Sequence, residues 1–174
     1  MTVHRTRYLP RGHLRRSYKI TPSLIEETRQ ALHKFDRFGW YDGGHEGICY
    51  WAGREEADLT HLKAVLVPKA RHDRYGVFVS EAAFGEVARK AREMGLGILA
   101  QVHSHPDSDT RHSDGDDELV VLPFENMLSL VAPYYGRTLK SISDFSVHQF
   151  QSRRWVLCSP RSVSAAFEIC SDHD

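Results

Sequence analysis

The sequence predicts a single α/β domain in which a mixed central β-sheet is flanked by α-helices. Apolar runs of strand length alternate along the chain with segments of helical periodicity, which favours a layered fold over a sandwich or a helix bundle. The 174 residues suit one domain built around one core. No internal repeat or low-complexity segment interrupts this alternation.

The N-terminal residues differ in composition from the rest of the chain. Residues 1–20 carry six basic side chains and no acidic one, so we expect a basic N-terminal arm there and the folded domain over residues 21–174. Thr21 suits the N-cap of a first helix, and Pro22 suits its first turn. The residues at helical spacing that should face the core are Leu24, Thr28, Ala31, Leu32 and Phe35. The glycine-containing stretch 38–44 should end this helix.

Further elements follow in order along the chain. Short apolar runs predict strands over residues 46–52, 62–67 and 76–80. Residues 80–94 have helical spacing, with Ser80 as N-cap and Gly95 just beyond the end. Residues 96–102 predict a buried strand. After a polar loop, the sequence predicts strands over 119–122, 127–132, 143–150 and 155–158, and a closing helix over 162–170.

Composition excludes several classes of partner and location. The 23 basic side chains balance 23 acidic ones, so no overall field favours nucleic acid or an anionic membrane. No apolar run approaches the roughly 20 residues that cross a bilayer, and residues 1–20 lack the apolar core of a secretory signal. Cys49, Cys158 and Cys170 are odd in number and form no C-x-x-C pair, which is typical of a reducing compartment. We therefore expect a soluble cytoplasmic protein with inert thiols.

A histidine-rich stretch after residue 102 carries the most specific signal. Because side chains alternate along a strand, His103 and His105 lie on the same face, and both rings can bind one metal ion. Pro106 ends the strand, so a loop must supply a third ligand. Ser113 and Asp116 have the spacing of a capping pair at a helix start. Asp116 can then complete a His-His-Asp set.

Three such ligands leave one coordination position open, which is typical of catalytic rather than structural zinc. Zinc lowers the pKa of its bound water to about 7, but a carboxylate is still needed to take up the proton and pass it to the leaving amine. Glu46 is the best candidate general base, because it begins an apolar strand beside glycines, where packing does not require a charge. Its competitors Glu55 and Glu56 follow Gly53 in a charged turn that should be solvated.

Neighbouring residues offer alternatives to this set. Asp114 and Asp117 flank Asp116 and can bind the ion instead, although the S-x-x-D spacing favours Asp116. His112 and Asp109 lie in the same loop and are expected to be solvated. Ser113 can serve as a helix cap alone, or as a cap and a hydrogen-bond donor to substrate.

Two further groups of residues partly match zinc-binding patterns. His45 and Glu46 begin like the H-E-x-x-H motif, but Cys49 holds the place of the second histidine, and the segment is predicted as a strand rather than the helix that this motif requires. Cys158 or Cys170 with His173 would need a spacing that the sequence does not supply. Neither pattern competes with the His-His-Asp set.

The residues of the favoured set resemble the motif of the JAMM, or MPN+/JAB, metalloprotease family, which is an upstream Glu followed by H-[ST]-H-P-x6-S-x2-D. Every constrained position is matched, by Glu46, His103, Ser104, His105, Pro106, Ser113 and Asp116. The resemblance covers residues 20–160 and implies a JAB/MPN domain with cytidine-deaminase-like layers. It also implies zinc held by the two histidines and Asp116, Glu46 as general acid and base, and Ser113 as a donor to the oxyanion.

The resemblance also implies a substrate class. Members of the family are zinc peptidases and isopeptidases that cleave ubiquitin-like proteins, or process sulfur-carrier proteins, after a C-terminal glycine tail. The short chain and its Glu46 strand look most like bacterial JAB proteins, deubiquitinase-like isopeptidases that often accompany ubiquitin-activating-like and ubiquitin-conjugating-like enzymes, some of them in antiphage defence. We therefore expect a zinc isopeptidase acting on a ubiquitin-like protein.

Other functions remain open beside this expectation. A processing peptidase for a sulfur-carrier protein or a siderophore-like substrate would use the same residues. Non-catalytic MPN-type scaffolds lack one or more metal ligands, whereas this chain keeps all of them. A branch linked to DNA repair carries a helix-hairpin-helix module, and the residues before Glu46 leave little room for one beside the first helix.

Overall fold

The computed structural model describes residues 10–113, 115–116 and 122–172, which form a mixed β-sheet flanked by helices. The sheet strands are β1 (Arg11–Gly12), β2 (Ser17–Ile20), β3 (Ile48–Glu56), β4 (Leu59–Leu66), β7 (Gly97–Ser104), β8 (Leu128–Ala132), β9 (Ser146–Gln151), β10 (Arg154–Cys158) and β11 (Phe167–Ile169). A separate hairpin pairs β5 (Arg71–Asp73) with β6 (Gly76–Phe78). The helices are α1 (Pro22–Phe38), α2 (Glu81–Glu93) and α3 (Pro160–Ala166).

The strand order places β7 at the centre of the sheet. The order is β1-β10-β9-β8-β7-β3-β4-β2-β11. β7 runs antiparallel to β3 and parallel to β8, so it is hydrogen-bonded on both sides. The two faces are covered separately: the larger apolar cluster includes Leu24 and Leu32 of α1, and a second cluster includes Ala83 and Val87 of α2. The predicted α/β class with a mixed central sheet is confirmed.

The first helix follows its sequence signals closely. Thr21 is the N-cap and its hydroxyl accepts the amide hydrogen of Leu24, while Pro22 opens the first turn. All five residues predicted to face the core are buried. Among them Thr28 has a second role, because its hydroxyl donates to the carbonyl of Leu24 at 2.7 Å and accepts the indole N–H of Trp51 at 2.7 Å. This pair of hydrogen bonds ties α1 to β3.

A Thr28→Val substitution tests that link. Valine keeps the shape of the side chain but leaves the buried indole N–H of Trp51 without its acceptor, so the free energy of unfolding should fall by about 1–3 kcal/mol. Urea denaturation followed by tryptophan fluorescence measures the change. Thr28→Ser, which keeps the hydroxyl, is the control and should lose less. An unchanged midpoint for the valine variant would show that the hydrogen bond contributes nothing net.

Several predicted elements have different limits in the structure. The strand predicted from residue 46 begins at Ile48 and continues to Glu56, so Glu46 precedes it. The helix predicted over 162–170 instead covers Pro160–Ala166, because Phe167–Ile169 leave it to pair in parallel with β2. The strand predicted over 119–122 falls largely outside the described residues. α2 is confirmed, with Ser80 as its N-cap and Gly95 at a φ of +69° beyond its end.

Residues 10–20 of the expected N-terminal arm join the sheet. β1 pairs in parallel with β10, and β2 pairs in parallel with β4. Arg16 donates to the hydroxyl of Thr60 at 3.0 Å, and the backbone N–H of Arg15 donates to Gln149 at 3.0 Å. The described part of the basic segment is therefore bonded to the domain. Residues 1–9 lie outside the described residues.

The three cysteines are free thiols, as the sequence predicts. Cys49 and Cys158 are buried free thiols and Cys170 is a partly exposed one. Burial raises the pKa of the Cys49 thiol and raises that of Cys158 to about 12, which fits inert groups.

Within the part of the chain that is described, no helix is both long and apolar enough to cross a bilayer.

Candidate metal centre

Strand β7 and the residue directly after it carry the two histidines. His103 lies in β7, fully buried, and its Cα pairs with that of Ile48 on β3. His105 follows the end of the strand and remains fixed, because its backbone N–H donates to the carbonyl of Ala132 at 2.8 Å. Their ring centroids are 5.1 Å apart. The two-residue spacing therefore brings both rings to one side of β7, as predicted.

Asp116 completes the cluster. Its Oδ1 lies 3.1 Å from Nε2 of His103, and its Oδ2 lies 3.4 Å from Nε2 of His105. One ligand atom from each of the three residues falls within 4.8 Å of the others. Two ligands held about 2.1 Å from a tetrahedral ion are themselves roughly 3.4 Å apart, so these distances suit a small divalent cation. The structure brings together the three predicted ligands.

The buried histidine nitrogens supply an independent test of whether a metal fits. Nε2 of His103 is fully buried and lies close to Asp116, yet it makes no hydrogen bond of acceptable geometry. Such a buried polar atom is costly unless something else satisfies it. Nδ1 of His105 lies 2.6 Å from the carbonyl oxygen of Asp109, so an N–H there leaves Nε2 free to bind a cation. Both rings are therefore suited to metal binding.

Electrostatics favours an ionised carboxylate among these ligands. Although burial acts in the opposite direction, His103 and His105 hold the pKa of Asp116 well below its usual range. Burial lowers the pKa of His103, which favours the neutral ring that a metal requires. Although burial lowers the pKa of His105, Asp116 raises it to about 9, so a metal ion that binds there would displace a proton.

Ser113 and Asp116 form the predicted capping pair. The hydroxyl of Ser113 accepts the backbone N–H of Asp116 at 3.3 Å, and Oδ2 of Asp116 accepts the backbone N–H of Ser113 at 2.5 Å. The pair fixes Asp116 opposite the histidines and places Ser113 at the edge of the same cleft. The competing Asp114 and Asp117 lie outside the described residues.

Glu46 approaches the cluster from the neighbouring chain segment. The hydroxyl of Ser104, between the two histidines, accepts the backbone N–H of Gly47 at 2.9 Å, and the backbone N–H of Ser104 donates to the carbonyl of Gly47 at 3.0 Å. The β3–β7 pairing thus continues past Ile48 and sets Glu46 opposite His105. Ser104 therefore holds the chain segment of Glu46 against β7, the strand that carries His103.

The environment of Glu46 suits proton transfer. Its side chain is 7% exposed, and burial raises its pKa to about 8, while His105 lowers it and Asp116 raises it further. A pKa near the working pH allows a group both to accept and to release a proton. A strongly perturbed carboxyl in a cleft is also a common mark of a functional site.

The loop before Glu46 is held by a long-range ion pair. The guanidinium of Arg137 binds both carboxylate oxygens of the buried Asp36, at 2.7 and 2.8 Å, and the carbonyl of Gly43 at 3.0 Å. Gly44 has a φ of +114°, and a side chain there would collide with Asp36 and Arg137. The glycines predicted only to end α1 therefore also allow the turn that carries Glu46.

The candidate cluster opens into a cleft of about 700 Å³. One wall is the β5–β6 hairpin, which the sequence did not predict as a separate unit and which contributes Arg71, Tyr75 and Phe78. The guanidinium of Arg71 lies 4.7 Å from the centre of the Phe78 ring. The hairpin is fixed to the site because the backbone N–H of Glu46 donates to the carbonyl of Asp73 at 2.9 Å.

The alternatives raised by the sequence lie elsewhere or have other roles. Glu55 and Glu56 are exposed as expected, although on the end of β3 rather than in a turn. Cys49 is buried on β3 rather than on a helix, so His45 and Glu46 do not form the H-E-x-x-H geometry. His112, expected to be solvated, is fully buried, and that expectation was wrong.

Known proteins share the motif region of this chain. A family model described as prokaryotic homologs of the JAB domain matches residues 28–153, a span that includes Glu46 and the three candidate ligands. The chain is 33% identical over 98 residues to the probable metalloprotease y4jG of Sinorhizobium fredii, a match covering 54% of this chain. The chain spans 60% of the length of that relative.

Solved structures share the fold. A solution structure of a protein from Desulfitobacterium hafniense has a TM-score of 0.61 at 14% identity, covering 90% of this chain and 96% of that one. A solution structure of a protein from Salinibacter ruber has a TM-score of 0.50 at 16% identity, covering 81% and 87%. At these identities the likeness concerns the architecture alone.

Proposed function

Because the chain belongs to the prokaryotic JAB-domain family, we propose that it is a zinc-dependent peptidase or isopeptidase that cleaves the amide bond after the C-terminal tail of a ubiquitin-like protein. The observation that carries this proposal is the cluster of His103, His105 and Asp116. Glu46 lines the same cleft as His105 and Asp116. A relative that bears the name of a probable metalloprotease supports the chemistry. The three nitrogen and oxygen ligands support zinc with an open position.

Each residue of the cleft has a role in this proposal. Zinc, when bound by the two histidines and Asp116, polarises the scissile carbonyl and lowers the pKa of water to about 7. Glu46 takes up the proton of the attacking water and delivers it to the leaving amine. Ser113 donates its hydroxyl hydrogen to the carbonyl oxygen of the substrate as negative charge develops there. Its oxygen can accept from Asp116 at the same time, since a hydroxyl has one donor and two acceptor positions.

Replacing Ser113 separates its two roles. Ser113→Ala removes both the donor and the cap, whereas Ser113→Gly removes the donor at a cost to the cap of only a few tenths of a kcal/mol. Both variants should bind metal, and the kcat of each should fall by about 10²–10³-fold, as expected for one lost oxyanion donor. Steady-state kinetics and metal analysis measure this. Wild-type kcat in the glycine variant would limit Ser113 to capping.

The shape and lining of the cleft favour a protein tail as substrate. Its volume of about 700 Å³ can hold an extended chain segment, and the exposed rings of Tyr75 and Phe78 lie along its wall. Large exposed aromatic side chains are frequent at protein-binding surfaces. We propose that the tail lies along the β5–β6 hairpin with its scissile carbonyl beside Ser113.

The test uses substrates with matched tails. The zinc-loaded protein is incubated with ubiquitin-like proteins fused through their C-terminal glycine tails to a reporter, and mass spectrometry locates the cleaved bond. The matched control is each fusion with the tail residues before the bond replaced by alanine. We expect cleavage after the glycine tail of at least one fusion and none in the controls. Intact fusions throughout, with zinc bound, would contradict the proposal and favour a scaffold role.

The same assay distinguishes the proposed enzyme from a processing peptidase for a sulfur-carrier protein. Release of a short extension from a sulfur-carrier protein, without cleavage of protein fusions, would assign a processing peptidase instead. We further propose that the protein acts in the cytoplasm, with ubiquitin-activating-like and ubiquitin-conjugating-like enzymes as partners, in antiphage defence. Copurification of these enzymes with the protein tests that context. Nucleic acid and membrane have no role in the proposal.

A further inference from the structure

His112 occupies an unexpected position for a residue of an exposed loop. The loop joins His105 to Ser113 and Asp116, and its residues Asp107, Ser108 and Arg111 are exposed. His112 by contrast is 0% exposed. A polar ring taken fully into the interior from such a loop needs specific partners.

Three sheet strands supply those partners. Nε2 of His112 lies 2.8 Å from the hydroxyl of Ser129 on β8. The ring stacks on His148 of β9 with centroids 4.0 Å apart and planes 28° apart. It also meets the ring of Trp155 on β10 edge to face, at 5.3 Å and 63°. His112 is therefore enclosed by β8, β9 and β10.

The site that encloses His112 lies beside the metal ligands. Ser129 pairs with His148 and with Gln101, and Gln101 lies two residues before His103, so all four side chains point to the same face of the sheet. The ring of His112 accordingly lies 6.0 Å from that of His103. Burial and the neighbouring His112 lower the pKa of His148 well below its usual value, which keeps that ring uncharged beside the ligands.

The backbone connects the buried His112 directly to Ser113 and, through it, to Asp116. His112 directly precedes Ser113, whose capping pair with Asp116 sets the carboxylate opposite the two histidines. On the other side, Thr110 hydrogen-bonds through its hydroxyl to Ser146 of β9 at 2.5 Å. Because His112 and Ser113 are adjacent, a displaced His112 would move Ser113 and, through the capping pair, Asp116.

We propose that His112 is a positioning residue that holds Asp116 and Ser113 in register with His103 and His105 by inserting into the pocket formed by Ser129, His148 and Trp155. This inference rests on the proposed metal site but on no substrate. Partners outside the ligand set that orient a metal site commonly change its affinity by about 10–100-fold when they are removed. His112 should act on the metal through Asp116 and not by direct contact.

The test measures zinc affinity by competition with a fluorescent chelator on folded protein. His112→Ala should weaken zinc binding by about 10–100-fold, and Ser129→Ala, which keeps every ring, should weaken it by a smaller factor. Thr28→Val is the control for general destabilisation, because it removes buried hydrogen bonds where α1 contacts Trp51 of β3. It should lower stability and leave zinc affinity unchanged. Circular dichroism verifies the fold of each variant.

The outcomes distinguish a positioning role of His112 from a general loss of protein stability. Unchanged zinc affinity in folded His112→Ala would overturn the inference, and if that variant does not fold, unchanged affinity in Ser129→Ala would do so. Equal loss of affinity in Thr28→Val would also overturn it, because destabilisation alone would then explain the effect. A wild type that binds no zinc would overturn it too, whereas zinc binding without cleavage of any fusion contradicts only the proposed substrate.

Discussion

A His103→Ala, His105→Ala variant is expected to lose both its bound metal and its peptidase activity. Both rings present Nε2 to Asp116, at 3.1 and 3.4 Å, so their removal leaves one carboxylate where three ligands met. A single carboxylate does not retain zinc against dialysis, since proteins hold catalytic zinc with three ligands. Elemental analysis after dialysis should give about one zinc per wild-type chain and almost none in the variant.

The chain offers a matched control for nonspecific binding. Among its 11 histidines, His33 on α1 and His61 on β4 do not line the cleft. A His33→Ala, His61→Ala variant loses the same number of imidazoles and should keep its zinc and activity. The single His105→Ala variant is the alternative if burial of His103 makes the double variant unstable. Full zinc content in a folded double variant would place the metal elsewhere.

The candidate metal ligands could be predicted to lie together because their signals are local. A two-residue spacing on a strand and a three-residue spacing at a helix start each fix geometry within a few residues. His103 and His105 follow the first rule, and Ser113 and Asp116 follow the second. Glu46 was predicted from a weaker signal, a charge beside glycines, and its place opposite His105 depends on the β3–β7 pairing.

The features that sequence reasoning missed depend on contacts between distant segments. The burial of His112 requires strands β8, β9 and β10 beneath an exposed loop, and nothing in a run of polar residues indicates which one turns inward. The ion pair of Asp36 with Arg137 joins residues 101 positions apart. Long-range pairing also overrides local propensity at Phe167, which stacks on Tyr18 at 4.8 Å instead of continuing a helix.

Glu46→Gln should abolish most turnover while leaving the metal in place. The amide has nearly the shape of the carboxylate but cannot take up a proton, so kcat should fall by about 10²–10⁴-fold, the usual contribution of a general base. KM should change little, because the substituted group acts on the proton rather than on substrate binding. Zinc should remain, since Glu46 is not one of the three converging ligands.

Glu55→Gln on the exposed end of β3 is the control, and it should match the wild type in both kcat and zinc content. If Glu46→Gln turned over normally, the general base would have to be another carboxylate, and Asp73 and Asp107 line the same cleft. If it lost zinc as well as activity, Glu46 would belong to the ligand set. Only zinc retention with lost turnover separates proton transfer from metal binding, because the histidine variants remove both at once.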